Sequence, residues 1–431
     1  MNLPINVEKY LRNKSAGTWK LEPNNFTGIT AAIVIPVIAE SKNILMLLNS
    51  LNRNNPSYLK RTAIIFIVNN TSSSQDEVKI DNLASLLFIR NAIDNNEYPQ
   101  LNLCLIDASS RGNELPERDG GVGLARKIGM DLALTIFDYS SNEKKILICL
   151  DADCNVSTNY IETIISGFNK RNLKAASIHF EHNVEQAENP EAITCYEIFL
   201  RYYVLGLKYA RSPFAFHTIG SSMACDFESY INIGGMNKKK AAEDFYFLEK
   251  LGKVVTVESI DSAVVYPSSR GSWRVPFGTG QRVNRFIART HDEYSLYSPE
   301  SFFVLKEWLV FFNSTNDASS IILSEAKKIH SSLYSFLIEQ KFEQQWDSIL
   351  SNAKTEGQLS IQKKLWFDGF KTLKLIHYLR DNAHPNINMF DACDKLFELL
   401  KIGRKIERDE SIPPLVVQKN YLEFLRKINY N

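Results

Sequence analysis

Between Thr30 and Phe180, apolar runs of strand length alternate with stretches of helical periodicity. No other feature of this chain restricts its fold as much. Ala31–Val37 (AAIVIPV), Ala63–Val68 (AIIFIV), Leu101–Ile106, Lys145–Leu150 and Ala175–Phe180 are short and apolar, which favours strands over helices. Between them, Ser41 is placed to cap a helix carrying Ile44, Leu45, Leu47, Leu48 and Leu51. Helices are also expected over Asp76–Ile93 and Gly123–Phe137. Apolar strands joined by helices imply βαβ units. The expected fold class is therefore α/β: a Rossmann-type, mostly parallel sheet flanked by helices.

After Pro299 the strand signal fades. Phe302–Phe312, Ser319–Gln340, Phe342–Asn352, Ile361–Arg380, Met389–Ile406 and Val416–Ile428 read as helices. A chain of 431 residues exceeds the usual span of one core. The expected organisation is an N-terminal arm over 1–29, an α/β domain over 30–299 and an all-α C-terminal domain over 300–431.

Composition adds exclusions. Lys and Arg total 50 against 49 Asp and Glu, so no global charge points to nucleic acid or a membrane surface. Six cysteines show no C-x-x-C spacing and read as reduced core thiols. The start, Met1-Asn2-Leu3-Pro4, lacks the apolar core of a signal peptide, and no run of 18 apolar residues occurs. A cytoplasmic protein without a transmembrane segment is the expectation; its oligomeric state is open.

The fourth strand ends on Asp151-Ala152-Asp153. Carboxylates are costly to bury unless paired or bound to a metal. At the carboxyl edge of an open α/β sheet they can face a ligand crevice. A helix or turn cap is the simplest use of such a pair. Asp151, Asp153, Asn155, Ser157, Asn159 and Glu162 also fall at calcium-loop positions, but Val156 stands where that loop turns on glycine. A phosphatase of the haloacid dehalogenase type uses a similar strand end. It wants Thr or Val where Asn155 stands.

Other motifs favour a different reading. Ala32-Ile33-Val34-Ile35-Pro36, the helix Gly123-Leu124-Ala125-Arg126-Lys127-Ile128-Gly129, Gly220-Ser221-Ser222-Met223-Ala224, Gly234-Gly235-Met236 and Ala242-Glu243-Asp244 accompany the acidic pair. In this order they resemble family 2 glycosyltransferases, nucleotide-sugar transferases of the GT-A fold. The resemblance runs from about Thr30 to Val283. It departs from the family at Asn69 and Asn70, where an acid usually meets the nucleoside, and at Lys127, where Asn is usual.

The resemblance implies a GT-A-like domain that transfers a sugar, of hexosyltransferase type, from a nucleoside-diphosphate sugar to an acceptor hydroxyl with inversion. The acceptor is left open as a saccharide, a lipid-linked or a small molecule. Asp153 is the expected direct ligand of a divalent cation, Mn²⁺ or Mg²⁺. Asp151 is a second metal contact or a ribose contact. Pro36, Glu40, Asn69, Asn70 and Arg126 are expected around the donor. Asp244 is the expected general base, with Glu243 its neighbour. The glycine- and arginine-rich stretch from Ser268 to Arg282 offers Arg270, Arg274 and Arg282 to the diphosphate. Lys238-Lys239-Lys240 reads as a solvated turn able to attract an anionic acceptor.

Two rivals remain. A sugar-phosphate nucleotidyltransferase would carry G-x-G-T-R after the first strand, where Val37-Ile38-Ala39-Glu40 stands. A non-catalytic protein of the same fold, binding a nucleotide sugar or a partner, would not need Asp151, Asp153 and Asp244 together.

Overall fold

The structure, a computed structural model, describes residues 3–23, 25–271, 278–403 and 406–428. These form two compact units. The first holds residues 3–183 and 218–268, and the second holds 184–217, 269–271 and 278–428, as far as they are described.

The first unit is built on an eight-stranded sheet. Its strands are β1 (Ala31–Val37), β2 (Thr62–Asn69), β3 (Asn102–Ala108), β4 (Ile146–Cys149), β5 (Asn155–Val156), β6 (Ala175–Phe180), β7 (Met223–Asp226) and β8 (Val257–Tyr266). The order across the sheet is β3-β2-β1-β4-β7-β6-β8-β5. β1 pairs parallel with β2 and β4, β2 with β3, and β6 with β8. β7 runs antiparallel between β4 and β6. The mostly parallel α/β sheet flanked by helices that the sequence implies is the one found.

Every residue of β1 and β2 is buried, as expected of strands covered on both faces. The helix Val122–Ala133 packs directly on them. A β-carbon on its Gly129 would lie 2.6 Å from Val34 Cγ1 and 2.7 Å from Ile67 Cδ1, so any larger residue would lift the helix off the sheet.

The parallel pairing brings the carboxyl ends of β1 to β4 to one edge. Because β7 is antiparallel and pairs Met223 with Cys149, its leading residues Gly220–Ser222 arrive at that same edge. All chemistry described below follows from this convergence.

Some local expectations change. Ser41 begins its helix but does not cap it; its hydroxyl donates to Asp81 Oδ2 at 2.7 Å. β3 runs on to Ala108, so Asp107 lies within it. β8 goes unrecognised in the sequence, because Glu258, Asp261 and Ser262 interrupt its apolar alternation. All six cysteines are free and buried.

The second unit is helical. Pro190–Tyr209, placed by the sequence within 30–299, packs here against Pro299–Ser314: the Tyr202 and Phe302 rings lie 5.7 Å apart. Glu197 Oε1 accepts from Arg201 Nε at 2.7 Å and Arg426 Nε at 2.8 Å, fastening the helix Leu415–Lys427. Two helices expected to be continuous are each broken. Ser319–Ile329 and Ser331–Glu339 meet at His330, and Glu356–Trp366 and Gly369–Asn382 are separated where Asp368 caps Lys371 N at 2.8 Å. Among the described residues, no helix is long and apolar enough to cross a membrane.

Candidate active site

Asp151 follows directly on β4 and Leu150, and Asp153 sits in the turn after it; both are half-buried. The turn is closed by Cys154 N donating to Asp151 O at 3.2 Å. On the facing side, Gly234 and Gly235 adopt φ of 78° and 77°, a region that favours glycine. The chain then loops back to start the helix Glu243–Val254, with Glu243 and Asp244 in its first turn.

Arg126 joins the two sides. It is 2% exposed. Its Nη2 donates to Asp151 Oδ1 at 2.5 Å, and its Nη1 donates to Glu243 Oε1. Two glycines make this possible. A β-carbon at Gly220 would stand 2.5 Å from Nη2, and one at Gly123 would stand 2.4 Å from Lys239 O and 3.1 Å from Glu243 Cβ. The guanidinium therefore lies on bare backbone at the start of β7, and the 237–243 loop lies on bare backbone at the start of the Arg126 helix. Asn237 Nδ2 ties this loop off by donating to Glu243 O at 2.8 Å.

The electrostatics follow from this packing. Burial works against the charge on Arg126, but Asp151 and Glu243 outweigh it and hold the guanidinium firmly charged. Asp244 is pushed up to about 7, first by burial and then by the Glu243 carboxylate beside it, with Arg126 pulling the other way. A carboxylate that titrates near neutrality is matched to proton transfer.

The remaining expected residues fall into three groups. Pro36 is buried within β1, and Glu40 is 6% exposed and accepts from Asn43 Nδ2. Asn69 and Asn70 are buried and hydrogen-bonded into the fold. Asn69 Nδ2 donates to Val37 O at 3.0 Å and Ile67 O at 3.1 Å, while Asn70 Oδ1 accepts from Asn82 Nδ2 at 2.8 Å. These amides hold the ends of β1, β2 and β3 together. Arg270 and Arg282 belong to the second unit, where Arg282 Nη1 pairs with Glu293 Oε2 at 2.9 Å. Arg274 lies outside the described residues.

Among the described residues, no three His, Cys, Asp or Glu side chains converge as a metal centre. Asp151 and Asp153 alone suit a hard cation that takes one or two carboxylates and completes its shell with substrate phosphates and water. Asp151 is engaged by Arg126, and Asp153 sits two residues on, in the turn that follows.

A buried group missed in the sequence supports the facing side. Tyr10 and Tyr230 donate to Asp131 Oδ1 at 2.8 and 2.7 Å, and Lys127 Nζ donates to Tyr10 Oη at 2.9 Å. Tyr10 Oη also rests on Gly235, where a β-carbon would lie 1.9 Å away. The N-terminal helix Ile5–Lys14 is thereby pinned onto the Gly-Gly turn. The only signal in the sequence is a lone tyrosine in a polar helix.

No protein-family profile and no curated protein matches this chain. Among solved structures, S. aureus TarS shares 12% identity at a TM-score of 0.36; the alignment covers 66% of this chain and 44% of that one. TarS 1–349 in complex with UDP-GlcNAc shares 13% identity at 0.38, over 88% of this chain and 94% of that one. The mannosyltransferase PcManGT from Pyrobaculum calidifontis, in complex with GDP-Man and Mn²⁺, shares 14% identity at 0.38, over 87% and 92%. The chain thus spans under half the length of the first of these structures. Likenesses this distant assign no activity, and the functional reading rests on the residues above.

Proposed function

We propose that this chain is a metal-dependent glycosyltransferase that moves a sugar from a nucleoside diphosphate to an acceptor hydroxyl with inversion. The observation that carries this reading is the Arg126 bridge. It fixes the Asp151 side of the sheet edge to the helix start bearing Asp244, whose carboxyl is poised near neutrality.

In this reading Asp153 holds the divalent cation, with Asp151 beside it oriented by Arg126. When bound, the cation offsets the negative charge that develops on the leaving diphosphate. Asp244 accepts the proton of the attacking hydroxyl, a role worth about 10²–10⁴-fold in rate. Glu243 is buried and paired with Arg126, and its place beside Asp244 raises the Asp244 carboxyl. Arg126 is thus a positioning residue rather than a donor contact. Hexosyl transfer is the type that the motif resemblance implies.

The test is Asp244→Asn, an isosteric change. Donor binding, followed by thermal shift with nucleoside diphosphates and Mn²⁺, should persist while transfer falls by about 10²-fold or more. Unchanged turnover would remove Asp244 as base.

A further inference from the structure

The 237–242 loop carries Lys238, Lys239 and Lys240 into the start of the Asp244 helix. All three are exposed, and so are Lys14 and Lys250. Among the described residues, none of the five makes an ion pair. Lys240 Nζ donates to the Glu117 carbonyl at 2.8 Å, and Lys239 Nζ lies 4.1 Å from the centre of the Tyr246 ring.

These cations come from three separate pieces of chain: Lys14 acts on Lys250, and Lys238 and Lys250 both act on Lys127. Tyr10, held by Asp131 and Lys127, locks the helix Ile5–Lys14 against Gly235, and its ring meets Tyr230 at 5.7 Å. Tyr230 in turn meets Phe247 of the Asp244 helix at 6.2 Å. A β-carbon at Gly234 would lie 3.8 Å from Lys250 Nζ. Glu8 is the sole acid of the N-terminal helix, against Lys9, Arg12 and Lys14. Glu249 pairs with Lys253 at 2.7 Å.

In a chain of net charge +1, this is a local concentration of like charge bordering the base. It acts on its own members: the Lys250 ammonium, exposed at the surface but partly desolvated by its neighbours, is held below its ordinary range by that desolvation and then by Lys14 and Lys253. Like charges so placed destabilise a fold unless an anion answers them.

We propose that the acceptor is anionic, a phosphate- or carboxylate-bearing chain whose charges lie on Lys14, Lys238, Lys239, Lys240 and Lys250 while its hydroxyl reaches Asp244. This rests on the transferase reading. It adds a substrate class to it, because a neutral acceptor would gain nothing from these lysines.

The probe is fluorescein-labelled short-chain inorganic polyphosphate, titrated by anisotropy into the full chain. Lys238→Gln/Lys239→Gln/Lys240→Gln and Lys14→Gln/Lys250→Gln should each weaken binding by about tenfold or more. A matched exchange at the exposed Lys60 and Lys170, which lie before β2 and β6 at the amino edge of the same sheet, should leave it unchanged. Equal loss in the remote exchange, or no binding by the native chain, overturns the proposal. So does patch-dependent binding to phosphatidylglycerol vesicles that polyphosphate does not displace, which would assign the face to a membrane. Nucleoside-diphosphate thermal shifts are read in parallel. Their absence with intact patch binding sinks the transferase reading and not the patch.

Discussion

Arg126 lies flat on Gly220: a β-carbon at residue 220 would stand 2.5 Å from Nη2 and 2.8 Å from Nη1. The absence of a side chain at the head of β7 is what lets one guanidinium reach both Asp151 and Glu243. Gly220→Ala should push Arg126 off one of its carboxylates. The expected result is a soluble protein with lowered Tm and transfer reduced by more than the stability loss explains, checked by thermal denaturation beside turnover.

Removing the bridge itself should be severe. Arg126→Met leaves Asp151 and Glu243 without their cation, and breaking a buried pair by deleting one partner costs about 3–5 kcal/mol. Denaturant unfolding measures this. Arg126→Lys should recover part of the stability and little of the transfer, because a single ammonium cannot donate in the planar two-armed geometry.

The pH dependence follows from the raised Asp244 carboxyl. Its base form exists above about 7, so transfer should rise with pH up to that point and fall about tenfold per unit below it. Stability takes the opposite sign. A carboxyl whose folded value is raised stabilises the fold at low pH, and that contribution is lost as pH rises from the ordinary aspartate range through about 7. Asp244→Asn should flatten this decline, measured as Tm against pH.

The contact between Tyr10 and Gly235 gives an independent check on the N-terminal helix. Gly235→Ala meets both a left-handed φ of 77° and the Tyr10 hydroxyl, so a stability loss of about 1–3 kcal/mol is expected. Tyr10→Phe removes the hydroxyl and should relieve part of that loss in the double variant. Strict additivity would mean the two residues do not meet.

The strands, the acidic pair and the helix start at Asp244 were legible because each is written in adjacent residues: an apolar run, a short spacing, a glycine turn. What the sequence hid depends on distance. Arg126 reads from the motif it sits in as a donor-side residue, but its partners lie 25 and 117 residues away. Asn69 and Asn70 read as a base-recognition edge, yet Asn82, on the following helix, draws the Asn70 amide inward. The Asp131 group joins Tyr10 to Tyr230 across most of the first unit's sequence. Part of the helix Pro190–Tyr209, from Tyr196 to Tyr209, reads as helical in the sequence, but nothing local told which core it would enter.

The central claim is that the strand end at Asp153 holds a cation through which a nucleoside diphosphate binds. Calorimetric titration of nucleoside diphosphates with and without Mn²⁺, into the native chain and Asp153→Ala, tests it most directly. The account predicts binding by the native chain that requires Mn²⁺ and is lost in Asp153→Ala. Equal binding by both proteins, or binding indifferent to Mn²⁺, would contradict it.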